Sequence, residues 1–185
     1  MQKILKQSIL IPSSIQVELE NSQLIFHGPL GQISLDLHQH DKVGECFFFL
    51  ESLETGQRVL SFTSTKKKKK IFLNSFKSLL SQYFTGLTQG FLVILECVGI
   101  GYKVQLQKNA LELKVGFSHS IEYVLPKDVQ VFLPKSNVIC FFGIDKKRLY
   151  QVASQVQSIK SPDVYKGKGL RFKNVKYFLK EGKKK

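Results

Sequence analysis

Two stretches of the chain share one pattern, in which short alternating segments precede a stretch with helical periodicity. In the first half, apolar residues recur at three- and four-residue steps over 72–83. In the second half, an apolar face recurs over 149–159, behind a potential helix cap at Asp145. A helix laid across a small sheet buries the apolar surface of both. We therefore predict an α+β fold of two similar domains from an internal duplication, each a small antiparallel-rich sheet packed against one helix.

The alternating segments predict strands, because successive side chains of a strand point to opposite faces. In sequence order they are 33–37, 46–50, 59–62, 102–106, 111–115 and 121–125. The run 91–97 is mostly apolar and predicts a buried central strand. Two glycines in 86–90 mark a change of segment. We expect a first domain at 1–85, a second at 86–160 and a basic extension at 161–185.

Two eleven-residue segments, 15–25 (IQVELENSQLI) and 129–139 (VQVFLPKSNVI), align without gaps at an offset of 114. Five of the aligned positions are identical. Each segment predicts a hairpin, with turns at 20–22 and 134–137. We expect the two hairpins to be equivalent parts of the duplication, with chance similarity between amphipathic hairpins as the alternative.

Positive charge is concentrated at the C-terminal end. Residues 145–185 carry 13 basic and 3 acidic side chains, against 15 and 11 in 1–144, and the whole chain has a net charge of +14. Such a field favours a polyanion, first nucleic acid and then an anionic membrane surface, over a tail that only aids solubility. The sequence contains no window of 18 uninterrupted apolar residues, so we predict no membrane span. Residues 1–14 lack the pattern of a secretory signal. The three widely spaced cysteines argue against a disulfide scaffold.

Candidate catalytic and metal-binding residues are sparse. His38 and His40 have a spacing that some metal sites use, but Asp41 alone does not complete a site. The glycines of 99–101 begin like a dinucleotide loop, yet a strand follows them instead of a helix. A Cys97–His119 catalytic pair has no local support. We predict neither an enzyme nor a cofactor.

Two lysine-rich segments suggest contact with phosphates. The run 66–70 is five lysines, and it is either a phosphate-facing arm or a solvated insertion. The segment 161–172 (SPDVYKGKGLRF) interleaves basic residues with glycines and Tyr165. Lysine and arginine neutralise phosphates, glycine allows close backbone approach, and a tyrosine ring can stack on a base. We expect the second segment to bind RNA; the alternative is a flexible tail with one aromatic anchor.

The second half resembles the universal large-subunit ribosomal protein six, in its bacterial or organellar form. The matching stretches, in the family's order and spacing, are VGIGYKVQ (98–105), LKVGFSHSIEY (113–123), GIDKKRLYQVASQV (143–156), YKGKGLRF (165–172) and KEGKKK (180–185). The first half carries weaker matches at 11–19 (IPSSIQVEL) and 28–35 (GPLGQISL).

The resemblance implies two duplicated α+β domains without enzyme activity. It implies binding to large-subunit rRNA near the sarcin–ricin loop, neighbouring large-subunit ribosomal proteins as partners, and elongation factors transiently nearby. A stand-alone RNA-binding or RNA-chaperone protein is the alternative. The rRNA-binding residues implied at matching positions, together with lysines of the extension, are Gly99, Gly101, Tyr102, Lys103, Gly116, Ser118, His119, Lys146, Lys147, Arg148, Tyr165, Lys166, Gly167, Lys168, Gly169, Arg171, Lys173, Lys183 and Lys184.

The chain departs from the family pattern at several places. The start is MQKILKQ instead of a short basic Gly-Lys-Lys segment, 157–160 lacks the usual arginine, and Ser120 and Val164 stand where proline is common. Lysine is a point charge and does not replace a bidentate arginine fork. The divergent first half, the lysine run and a count of 25 lysines to 3 arginines suggest an organellar ribosome. We expect the mitochondrial matrix, with plastid or bacterial cytoplasm as alternatives.

Overall fold

The computed structural model describes residues 5–20, 23–37, 46–52, 57–64 and 70–182. The chain divides into two compact units, Met1–Gly90 and Phe91–Lys185. Among the described strands, every pairing is antiparallel. Within the described residues, each unit combines small antiparallel sheets with one long helix, which confirms the predicted α+β class.

The described part of the first unit contains six strands and one helix. They are β1 (Leu5–Leu10), β2 (Gln16–Glu20), β3 (Gln23–Gly28), β4 (Gly31–Asp36), β5 (Cys46–Ser52), β6 (Arg58–Ser64) and α1 (Lys70–Thr88). The strands form two three-stranded sheets, in the orders β1–β6–β5 and β2–β3–β4, where the sequence predicted one sheet. Because α1 contacts strands of both sheets, a single helix covers the apolar side of each.

Aromatic rings fill the core between α1 and these sheets. Phe76 on α1 meets Phe62 edge to face, with 5.5 Å between ring centroids. Phe84, two turns further along, meets Phe26 in the same way at 5.8 Å. Edge-to-face contact is favoured by the charge distribution of the rings. The helix ends at Thr88, and Gly90 adopts a left-handed conformation (φ 74°) that stops it.

The described part of the second unit contains seven strands and one helix. They are β7 (Phe91–Val98), β8 (Lys103–Gln107), β9 (Ala110–Lys114), β10 (Ile121–Val124), β11 (Gln130–Lys135), β12 (Val138–Gly143), α2 (Lys146–Ile159) and β13 (Gly169–Phe172). The sheets have the orders β11–β12–β7–β13 and β10–β9–β8. The central position predicted for 91–97 is confirmed. Burial of the whole strand is not, because β7 buries one face while Leu92 is 53% exposed.

The second helix confirms its predicted cap and apolar face. The Asp145 carboxylate accepts a hydrogen bond from the backbone N–H of Lys147 at 2.8 Å, which satisfies a donor that the first turn leaves open. The buried residues of α2 are Leu149, Val152, Ala153 and Val156. They pack on the face of the four-stranded sheet that carries Leu95 and Leu170. This core positions the loops at both ends of α2.

The described elements of the two units follow one order: a strand, a three-stranded meander, a hairpin and a helix. In each unit the first strand pairs with the last strand of the hairpin, β1 with β6 and β7 with β12. The meander β2–β3–β4 therefore corresponds to β8–β9–β10, and the hairpin β5–β6 corresponds to β11–β12. The topology agrees with an internal duplication.

The predicted alignment of 15–25 with 129–139 is wrong, because it matches β2–β3 with β11–β12, which occupy different places in the repeated order. When the repeats are aligned by topology, buried Val17 corresponds to buried Val104, 87 residues later. Buried Leu24 corresponds to buried Leu111 at the same interval. Strand alternation has a period of two in every hairpin, so two unrelated amphipathic hairpins align readily.

One predicted turn is shorter than expected. Strand β11 continues through Pro134 and Lys135, so Ser136 and Asn137 alone form the turn. Proline has no N–H to donate, and it lies on an edge strand where the register shifts between Phe132 and Lys135. In the first hairpin, residues 21–22 lie outside the described residues. Strands β1 and β13 were not predicted. In the part of the chain that the structure describes, no helix is long and apolar enough to cross a membrane.

Candidate RNA-binding surface

The predicted loops 99–103 and 116–120 meet through one side chain. A Cβ atom on Gly99 would lie 2.7 Å from the Tyr102 ring, and one on Gly116 would lie 2.9 Å from the Tyr102 hydroxyl. Both glycines therefore leave room for this ring, and Gly116 also has a positive φ of 81°. In contrast, Gly101 has open space around it, so its backbone is accessible. Tyr102 fixes the two loops beside each other.

Together these loops line a shallow cleft of about 310 Å³. Its edge carries Ile100, which is 93% exposed, and His119, whose Nδ1 lies 3.4 Å from the Ser118 hydroxyl oxygen. Beside the cleft, the Lys160 ammonium lies 4.7 Å from the centre of the Phe117 ring. This cation–π contact joins the loop 116–120 to the C-terminal end of α2.

Residues 163–168, which we call the basic loop, fold around the side chain of Asp163. Its carboxylate accepts the backbone N–H of Lys166 at 2.9 Å and that of Tyr165 at 3.4 Å. The backbone of Asp163 also pairs with Lys168 and Gly167, at 2.8 and 2.9 Å. These backbone N–H groups, with Lys166 first and Tyr165 next, hold the pKa of the Asp163 carboxyl below its ordinary value. The ionised carboxylate thus occupies donors that could otherwise face a phosphate.

The glycines of this segment serve the loop's own packing. A Cβ atom on Gly169 would lie 2.6 Å from the backbone oxygen of Ser161, and its φ is 143°. For Gly167, with φ 66°, the nearest atom to such a Cβ is a methyl carbon of Leu179 at 3.3 Å. Both positions favour glycine for internal reasons. The side chains that this loop exposes to a ligand include Tyr165, Lys166 and Lys168.

Arg171 lies in β13 directly opposite Glu96 of β7. Its Nη2 and Nε atoms donate to one oxygen of the Glu96 carboxylate, at 3.2 and 3.3 Å. This partly exposed pair neutralises an acid on the sheet surface, and some guanidinium donors remain available to another acceptor. The backbone N–H of Lys173 donates to the carbonyl oxygen of Ile94, so the chain stays paired with β7 for one residue beyond β13.

Six of the predicted positions lie around two neighbouring clefts. One is lined by residues that include Gly99, Tyr102, Arg171 and Lys173. The next shares Arg171 and Lys173 and adds Lys166 and Gly167. The structure therefore brings the loop 99–103, strand β13 and the basic loop onto one continuous surface.

The predicted residues at the start of α2 lie elsewhere. The helix rises about 1.5 Å per residue, so Lys146 is about 20 Å from Ile159, near which the basic loop begins. Lys146 has its ammonium 5.8 Å from the centre of the Phe91 ring, and the Arg148 guanidinium lies 4.0 Å from the Asp128 carboxylate. Lys147 donates its backbone N–H to the helix cap. This basic cluster therefore lies at the opposite end of α2 from the basic loop.

Sequence patterns missed two residues that shape the surface. Asp163 follows a proline and precedes a glycine-rich turn, which is a detectable signal for side-chain capping of a turn. Tyr177 accepts hydrogen bonds from Gln157 at 2.9 Å and from the backbone N–H of Phe172 at 3.1 Å. These contacts tie the C-terminal segment to α2 and β13. No local pattern marks Tyr177, because both partners come from tertiary structure.

Other candidates lie outside the described residues or in the core. Lys183, Lys184, His38, His40 and Asp41 lie outside the described residues, as does the run 66–70 except for the backbone of its last residue. Among the residues that the structure describes, no group of three or more His, Cys, Asp or Glu side chains could hold a metal ion. Burial raises the pKa of the Cys97 thiol to about 11, which leaves it protonated at neutral pH.

Comparison with known proteins gives one consistent family. The family model for ribosomal protein L6 matches residues 98–173. The chain is 37% identical to large ribosomal subunit protein uL6 of Thermosipho africanus over 184 residues. Identity is 35% to uL6m of Reclinomonas americana over 193 residues and 34% to uL6 of Chromohalobacter salexigens over 186 residues. Each of these alignments covers the full length of both proteins.

Proposed function

The chain belongs to the ribosomal protein L6 family, and on that premise we propose that its second unit binds large-subunit rRNA near the sarcin–ricin loop. As a member, it is a structural constituent of the large ribosomal subunit and not an enzyme. One observation carries the proposal. The residues that match the family model, 98–173, include every rRNA-binding position that the family resemblance implied except Lys183 and Lys184.

The charge of the C-terminal region supports a polyanionic ligand. Three acids accompany the 13 basic side chains of 145–185. Two of them, Asp145 and Asp163, accept backbone N–H groups, at the start of α2 and in the basic loop. Their charge is therefore partly satisfied within the fold, and the surrounding lysines favour a phosphate backbone.

Within this proposal the side chains have distinct roles. Lys166 and Lys168 neutralise phosphates from the basic loop, and Tyr165, which is 58% exposed, offers its ring to a base or sugar. The guanidinium of Arg171 bridges Glu96 and a phosphate oxygen. The loops 99–103 and 116–120 approach the RNA backbone at Gly101, whose surroundings are open.

The basic cluster at the start of α2 makes a second contact in this proposal, about 20 Å from the end of α2 near which the basic loop begins. That span corresponds to the separation of distinct phosphate groups on a folded RNA, so one rRNA region contacts both places. Neighbouring large-subunit proteins cover other surfaces of the chain, and elongation factors dock close to the sarcin–ricin loop.

For the compartment we propose the mitochondrial matrix. The count of 25 lysines to 3 arginines, with 15 phenylalanines and no tryptophan, fits drift in a small AT-rich genome. The full-length similarity to the mitochondrial form uL6m of Reclinomonas americana agrees with this compartment. Mitochondrial fractionation of the source cells tests this compartment. Co-purification with plastid ribosomes, or with the ribosomes of a bacterial cytoplasm, would overturn it.

Footprinting tests the binding proposal. The full chain is added to a transcript that contains the sarcin–ricin hairpin and its flanking helices, and backbone cleavage by hydroxyl radicals is compared with and without protein. We expect protected nucleotides in this region, and we expect protection to weaken in the double variant Lys166→Ala and Lys168→Ala. If neither the wild type nor the double variant changes the cleavage of this region, the binding proposal is refuted.

A further inference from the structure

The segment that follows β13 has a fixed path although it contains neither helix nor strand. Tyr177 holds its middle, because the phenol oxygen accepts from Gln157 on α2 and from the backbone N–H of Phe172. Further along, the backbone N–H of Lys180 donates to the Val164 oxygen at 2.9 Å. The segment is therefore anchored to α2 and β13 on one side and to the basic loop on the other.

Between these anchors lies a cleft of about 460 Å³ with an apolar wall. Val175, Phe178 and Leu179 contribute to that wall, and Phe178 is 90% exposed. Leu179 also packs near Gly167, which brings this wall beside the basic loop. Several exposed apolar side chains next to one another mark a surface that something covers.

The charged residues around the cleft indicate what covers it. Lys166, Lys173 and Lys176 are part of its lining. The acid in the lining is Glu96, and Arg171 pairs with it. An exposed aromatic ring with lysines around it matches the two parts of a nucleotide, because a base offers a flat face and its phosphate offers negative charge. A neutral protein surface would not require the lysines.

We propose that Phe178 stacks on an unpaired nucleobase of large-subunit rRNA, while Lys166 and Lys176 contact phosphates that flank this base. The inference rests on the proposed function and adds a base contact to a surface otherwise described by its charge. Stacking is tolerant of base identity, because every base has such a face. Tyr177 sets the position of the ring by fixing the backbone next to it.

The absence of tryptophan from the sequence permits a direct test. Phe178→Trp places one fluorescent indole in the full chain, and the transcript with the sarcin–ricin hairpin and flanking helices is the probe. Stacking on a base is expected to quench the indole emission. Phe178→Leu keeps an apolar side chain but has no ring, and its affinity for the transcript is expected to fall about 5- to 100-fold. Phe178→Tyr is expected to bind like the wild type.

Phe132 supplies matched controls, because it is an exposed phenylalanine on the edge strand β11, outside the cleft. Phe132→Trp and Phe132→Leu are expected to show neither quenching nor lost affinity. Urea unfolding of every variant is the control for folding, and curves that match the wild type show that the fold is retained.

The base contact is overturned if Phe178→Leu binds the transcript like the wild type, or if saturating RNA leaves the emission of Phe178→Trp unchanged. That result would instead assign the cleft around Phe178 to a neighbouring large-subunit protein. Failure of the proposed function looks different. The wild type then fails to bind the transcript, or removal of the Lys166 and Lys168 charges does not weaken binding.

Discussion

The carboxylate of Asp163 accepts the backbone N–H of Lys166 at 2.9 Å, so an acidic side chain shapes the loop that carries the lysines. The same carboxylate accepts the N–H of Tyr165. A negative charge close to a phosphate-binding surface opposes binding of RNA, yet here it organises the backbone of that surface. Loss of the loop's shape on substitution of Asp163 therefore predicts weaker RNA binding, whereas loss of its negative charge predicts tighter binding.

Asp163→Ala is expected to weaken binding of the sarcin–ricin transcript about fivefold to tenfold, because two hydrogen bonds that fix the loop are lost. Asp163→Asn keeps a carbonyl acceptor and removes the charge, so it is expected to bind at least as tightly as the wild type. Filter binding at one salt concentration measures both variants. Tighter binding by the alanine variant would mean that charge alone governs this position.

Removing the charges of Lys166 and Lys168 is expected to change the salt dependence of binding. Each lost phosphate contact reduces the slope of log K against log salt concentration, so the double alanine variant should lose about 1.5 to 2 units of slope. Lys6 and Lys77 are exposed lysines of the first unit, and their double alanine variant is the control. Equal slopes in the wild type and the Lys166, Lys168 variant would remove these two residues from the phosphate contacts.

Gly169→Ala is expected to destabilise the second unit by about 2–3 kcal/mol, since its φ of 143° is strained for other residues and the new methyl group would meet the Ser161 oxygen. Gly101→Ala is the matched control. It also has a positive φ, of 77°, but no atom within 4 Å of the new Cβ, so about 1 kcal/mol is expected. Urea unfolding gives both values. Equal losses would show that contact at Gly169 adds nothing.

The buried thiol of Cys97 is expected to make stability fall at alkaline pH. Its pKa rises from an ordinary value of 9.0 to about 11 in the folded chain, so the unfolded chain releases this proton first. The contribution is fully present below pH 9 and is lost as the pH rises toward 11. The difference in unfolding free energy between wild type and Cys97→Ala, measured at pH 8 and pH 10, isolates it. A difference that does not shrink at pH 10 would contradict this assignment.

Helix α2 was predictable because its signals are local. Asp145 lies directly before the first turn, and the apolar face repeats at helical spacing from Leu149 to Val156. The turn between β8 and β9, at Lys108 and Asn109, was predictable for the same reason, because the alternating segments 102–106 and 111–115 flank it. The proposed rRNA-binding positions depended on motifs of the ribosomal protein L6 family, and physical periodicity alone did not identify them.

The remaining features depend on pairing between distant segments. Strand β13 exists because Gly169 lies opposite Val98, about 70 residues earlier in the chain. That register also places Arg171 on Glu96, and neither residue alone indicates the other. The offset of the duplication failed for a related reason, since strand alternation is the same in every hairpin and the order of pairing in the sheet is not written in a short segment.

Sedimentation of the tagged chain from its source cells tests the central claim most directly. A lysate is separated on a high-salt sucrose gradient, and RNA crosslinked to the chain is sequenced. The account predicts that the chain travels with the large ribosomal subunit and that crosslinks fall in the sarcin–ricin region of its rRNA, whose sequence also identifies the compartment. A chain that stays at the top of the gradient, bound to varied RNAs, would contradict the account.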